Sequence, residues 1–171
     1  MLFTKNTSLL FGNISFAPML NFNKTTEYSF RIMSYIASDV SRQYKSDDIY
    51  KDLKIPFRYL RRLLTKLSNA GLLESIQGKY GGFKLTRKIE DITLYDILMA
   101  TDENSNATSC FFGFPECPAQ GNCLLHEAWT EMRKNLHNVL KNTTLAALKS
   151  SDTGNFILTN SLSQLSNELE A

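Results

Sequence analysis

All three cysteines of the chain fall in one stretch, SCFFGFPECPAQGNCLLHEAW at 109–129, at Cys110, Cys117 and Cys123, and His126, one of two histidines, closes it. The pattern C-x6-C-x5-C-x2-H offers three thiolates and an imidazole, a donor set that suits zinc or an iron-sulfur cluster. Gly113, Pro115, Pro118 and Gly121 let the loop turn sharply, and Phe111, Phe112 and Phe114 keep it partly dry. Cys123 and His126 stand a helical turn apart and would share one face of a helix beginning there. Three thiols cannot all pair within one chain, so a disulfide framework is not expected, and metal ligation or plain burial remains. Spacing by itself does not choose the metal.

The rest of the chain must position that loop. Its 171 residues, 43% of them hydrophobic, suffice for one domain with an appendage. No apolar run approaches the roughly 18 residues that cross a bilayer, and the N-terminal stretch lacks a signal-peptide pattern, so a cytoplasmic protein with no membrane partner is expected. The net charge is only +2, but it is unevenly placed. Residues 54–88 carry nine Lys or Arg against the single acid Glu74, which leaves the remainder acidic and marks a candidate polyanion-binding face.

The periodicity explains that basic segment. Tyr28, Ile32, Tyr35 and Ile36 recur at steps of three and four and predict a first helix from about Lys24. SDDIYKDLK, opened by Ser46 as an N-cap with acids in its first turn, predicts a short second helix. In IPFRYLRRLLTKLSNAG, Pro56 suits a first turn and Gly71 an exit. Between them Leu60, Leu63, Leu64 and Leu67 share one side, opposite Arg58, Arg61, Arg62 and Thr65. Two helices joined by a short turn, the second bearing arginines outward, form a helix-turn-helix whose arginines can fork onto guanine or grip phosphate. LLESIQGKYGGFKLTRK then predicts a basic hairpin turning at Gly78, Gly81 and Gly82, placed as a wing. These glycines lack the lysine-hydroxyl ending and strand-to-helix setting of a phosphate loop. The expected DNA contacts are Arg58, Tyr59, Arg61, Arg62 and Lys66 from the helix, with Gln77, Lys79 and Lys84 from the wing.

Thr93 opens a fourth helix in which Asp96 completes a capping box. Asn122 is the expected cap of a long helix in which Leu125, Trp129, Met132, Leu136 and Val139 alternate steps of four and three, a seam for a partner helix or for its own domain. His137 on that helix is expected in solvent or in the seam. No paired carboxylates or cysteine-histidine cleft points to an enzyme.

From about Lys24 to Lys149 the sequence resembles the IscR/NsrR family of bacterial winged-helix regulators. The resemblance rests on YLRRLLTKLSNAGLLES, GKYGGFKL, ITLYDIL and CLLHEAW. It implies a homodimer on double-stranded DNA and an iron-sulfur cluster, two-iron or four-iron, held by Cys110, Cys117 and Cys123. It offers two fourth ligands: His126 from the same loop, or Glu27 from the opposite subunit. There are departures. The first cysteine interval is one residue longer than the usual pattern, Arg58, Arg61 and Arg62 replace a serine, a glutamate and a glutamine of the IscR branch, and Gln77 replaces a wing arginine. The operator is therefore not inherited from the resemblance.

The expected fold is mainly α with a small β-hairpin wing, a winged helix-turn-helix plus a long dimerisation helix. Residues 1–22 are read as an extension, with Met19 a candidate start and the residues before it a candidate gene-start artefact. Residues 23–103 are read as the DNA-binding domain, 104–122 as the cluster loop, 123–150 as the dimerisation helix and 151–171 as a polar tail. The function expected is a transcription regulator, a repressor, that senses redox state, nitric oxide or iron-sulfur supply. The alternative is a winged partner-binding or structural domain clamped by a Cys3His zinc site.

Overall fold

The computed structural model describes residues 22–101, 110–112, 114, 118–119 and 122–151. Its first helix, α1 (Lys24–Ala37), starts where the Asn23 side chain accepts the Thr26 amide at 2.9 Å. Its buried stripe includes Ile32, Tyr35 and Ile36. Helix α2 (Ser46–Leu53) differs from expectation by one residue, because Lys45 occupies the cap position and Ser46 is already helical. Asp47 and Asp48 still place negative charge in its first turn, where the helix dipole favours it.

Lys54, with φ at 51°, turns the chain left-handed after α2, and buried Ile55 pins the short connection to α3 (Phe57–Asn69). Pro56 sits just before the helix rather than inside it. Leu60, Leu63, Leu64 and Leu67 are buried and join Ile32, Met33, Ile49, Leu53 and Ile97 in one core. Burial of each such side chain stabilises the fold by about 1.5–3 kcal/mol, far more than helix propensity supplies. The helix ends in a Schellman motif: Gly71 (φ +71°) donates to the Ser68 carbonyl and Leu72 to the Leu67 carbonyl, both at 3.0 Å.

The hairpin forms as expected. Strands β1 (Leu73–Ile76) and β2 (Gly82–Leu85) pair antiparallel, Leu73 opposite Leu85 and Glu74 opposite Lys84. Tyr44 adds a bridge to Phe83, so β2 is tied to the segment before α2.

Helix α4 (Leu94–Thr101) carries the predicted reciprocal cap: the Thr93 amide donates to the Asp96 carboxylate at 3.0 Å and the Asp96 amide to the Thr93 hydroxyl at 3.1 Å. The long helix α5 runs His126–Asn142 and so begins three residues after Cys123. Asn122 does not cap it; its amide donates to the Ala119 carbonyl at 2.8 Å, within a turn that precedes the helix. Nor is 123–150 one helix. The chain breaks at Thr143–Thr144, where the Thr144 hydroxyl caps α6 (Leu145–Ser150) by accepting the Ala147 amide. The expected extension, apart from Phe22, and the tail beyond Ser151 lie outside the described residues. Among the described residues no helix is long and apolar enough to cross a membrane.

Candidate nucleic-acid interface and cysteine pocket

The leucine stripe decides which way α3 faces. With four leucines in the core, Arg58, Arg61, Arg62 and Thr65 project outward, and with Phe57 they line one open depression. None of the three guanidinium groups is ion-paired among the described residues. Other basic groups are engaged: Lys24 with Glu27 at 2.9 Å, Arg42 with Asp48 at 3.2 Å, and Lys84 with Glu74 across the wing at 3.2 Å. Unpaired cations on one helical face keep their full charge for a polyanion, whereas an exposed pair such as Glu74–Lys84 contributes at most about 1 kcal/mol to the hairpin.

The remaining predicted contacts divide. Gln77 and Lys79 are exposed at the wing tip, where the Lys79 ammonium lies 5.7 Å from the centroid of the exposed Tyr80 ring. Lys66 is half-buried at the far end of α3. Tyr59 is turned away from the arginines. Its hydroxyl is 2.6 Å from that of Thr25, and its ring meets Tyr28 edge-on, which fixes α3 against α1.

The wing owes its shape to two close approaches. A Cβ on Gly81 would lie 2.1 Å from the Ile76 carbonyl oxygen, and one on Gly82 would lie 2.8 Å from that of Tyr44. Only glycine lets the tip fold back and the strand reach Tyr44.

The second site lies at the start of α5. Cys110, Cys123 and His126 line one pocket with Phe111, Phe112, Leu125 and Trp129. Phe111 packs edge-on against Trp129, ring centroids 5.3 Å apart, and the His126 amide donates to the Cys123 carbonyl at 3.0 Å. The Trp129 indole Nε1 is buried with no hydrogen-bond partner among the described residues. A buried donor without an acceptor is costly. Thiolate or cluster sulfur in this pocket would offer that N–H an acceptor, and two thiols with an imidazole are donors of the kind that hold such a cluster. Cys117 lies outside the described residues, and no three His, Cys, Asp or Glu side chains converge among those described. Glu27 does not line the pocket; it is paired with Lys24 in the first turn of α1.

The expected seam is divided as well. Leu125 and Trp129 line the cysteine pocket, although Leu125 is as exposed as Met132 at 37%, and Val139 is exposed at 59%. His137 is neither in open solvent nor in that seam, for its ring packs edge-on against Tyr95 of α4 at 4.7 Å. Sequence reasoning missed Phe57 as a member of the arginine face and Trp129 as a wall of the pocket. Counting 100° per residue from Arg61, and three residues on from His126, would have found both.

Residues 22–151 match the Rrf2 family, described as an iron-dependent transcriptional regulator. Protein rrf2 of Nitratidesulfovibrio vulgaris is 34% identical over 124 residues, 72% of this chain and 83% of that protein. The HTH-type transcriptional regulator IscR of Vibrio atlanticus is 34% identical over 101 residues, 59% of this chain and 58% of its own length. Among solved structures, CymR, the global cysteine regulator of B. subtilis, superposes with a TM-score of 0.65 at 29% identity, covering 77% of this chain and 98% of that one.

Proposed function

Because this chain belongs to the Rrf2 family and is thus a DNA-binding transcription regulator and not an enzyme, we propose that it works in the cytoplasm as a homodimeric repressor governed by an iron-sulfur cluster. Cys110, Cys117 and Cys123 are the thiolate ligands and His126 the fourth, with Glu27 of a second subunit the competing candidate. The observation that carries this reading is that Cys110, Cys123 and His126 line one pocket with Trp129, whose buried indole N–H has no hydrogen-bond partner among the described residues.

A bound cluster would supply a redox-active, nitric-oxide-sensitive group whose gain or loss changes the charge and rigidity of the loop. The chain's own residues relate that loop to DNA. It connects α4, which packs on α1 and α3, to α5, whose far end is bridged back at Thr144 to Thr93, where α4 begins. Exposed Met132 and Val139 give α5 an apolar edge for the second subunit. A loop state that fits one spacing of the two α3 helices better shifts the population towards it.

Oxygen-free purification, with visible absorption and iron and sulfide analysis, tests the assignment. Charge-transfer bands that bleach with nitric oxide are expected, together with matching iron and sulfide. A colourless protein carrying stoichiometric zinc would make the pocket a structural clamp, and a colourless protein without metal would end both readings.

A further inference from the structure

Among the described residues, Phe57 is the one apolar side chain lining the arginine depression. It is the first residue of α3, it remains exposed, and its ring packs edge-on against that of exposed Tyr50, with centroids 5.6 Å apart. At 100° per residue Phe57, Arg61, Thr65, Arg58 and Arg62 occupy successive positions around little more than a third of the helix. An aromatic ring thus stands at the entry end of the helix, propped by a second ring and flanked by cations.

A helix of this kind enters the major groove N-terminal end first, and that groove displays a single apolar group, the 5-methyl of thymine. We propose that Phe57, held by Tyr50, reads thymine methyl groups, so that the preferred DNA site places thymine beside the bases or phosphates gripped by Arg58 and Arg61. This rests on α3 being the groove-reading helix. A ring serving only to cover the α2–α3 turn would be indifferent to the methyl group.

The test starts from a random-sequence duplex library. The full-length protein, as purified without oxygen and again after metal removal by chelation, selects its preferred duplex. That duplex is then remade with deoxyuridine in place of thymine at each position in turn. One or two positions in each half-site should lose about fourfold in wild-type affinity, as expected for one methyl group leaving an apolar contact. Phe57→Ala should bind the thymine and uracil duplexes alike, and Phe57→Leu should keep part of the difference. The wild-type comparison needs no variant, and the leucine substitution serves should alanine unfold the helix-turn-helix. Equal wild-type affinity for thymine and uracil at every position, or a ratio unchanged in both variants, overturns the role of Phe57 while leaving α3 as the reader. If neither preparation enriches any duplex, α3 is not the reader and this inference falls with it.

Discussion

Thr93 pairs with Thr144 across an isolated antiparallel bridge, in which the Leu94 amide donates to the Thr143 carbonyl and the Leu145 amide to the Ile92 carbonyl, both at 2.9 Å. The chain leaving the wing is therefore stitched to the junction of α5 and α6. Ile92 and Leu145, on either side of that stitch, are both buried. One end of α5 carries His126 and lines the cysteine pocket, and the other is held to the segment that leads into α4.

Thr93 also caps α4, and Thr93→Ala leaves the bridge amides in place while removing the hydroxyl acceptor. A loss of about 1 kcal/mol is expected, or a melting temperature lower by roughly 3–5 °C. Calorimetry decides the point, since an unchanged midpoint would mean that the reciprocal cap contributes nothing.

Arg61→Ala and Arg62→Ala should each weaken specific binding by about 1–3 kcal/mol and relax discrimination at one base pair if the side chain forks onto a base edge. Titrations against a set of operator variants separate the cases. Weakening that is uniform across sequences assigns the arginine to phosphate instead.

Gly81→Ala should spoil the wing without unfolding the core, because the new Cβ would collide with the Ile76 backbone oxygen at 2.1 Å. DNA affinity should fall severalfold while the helical circular dichroism signal is retained. Full affinity would remove the wing tip from the interface.

Burial, and then its hydrogen bond to Asp52 and that carboxylate's charge, hold the Tyr35 phenol above its usual pKa. The unfolded chain releases this proton near pH 10, before the folded one does, so the unfolded state then binds fewer protons than the native state. The contribution is complete below about pH 10 and is lost as the pH rises further. Tyr35→Phe should cost about 1.5–3 kcal/mol at neutral pH and decline less steeply in alkali. Denaturant titrations at pH 8 and 10.5 showing equal declines would locate the alkaline sensitivity elsewhere.

Cys117→Ala should abolish metal uptake yet leave a folded dimer able to sediment as such. Full retention of iron and sulfide in that variant removes Cys117 from the ligand set.

Much of this was legible in the residues themselves. The leucine period of α3 fixed which face is buried, and the arginines opposite could then only point outward. Gly71 ended that helix, and Thr93 with Asp96 began the next, because capping chemistry is local. Element edges at Ser46, Pro56 and Cys123 moved by one to three residues, since helix ends are settled by tertiary contacts that propensity does not see.

What the sequence by itself determined was a winged helix-turn-helix with an arginine face and a thiol-rich loop, all of it coded in spacings shorter than about ten residues. Only the tertiary structure turned Tyr59 inward onto Thr25, brought Trp129 and Phe111 together in the pocket that Cys110 and Cys123 line, set His137 on Tyr95 and bridged Thr93 to Thr144. Most of these contacts join residues far apart in the chain, and their energy comes from packing and shared burial, which no local periodicity records.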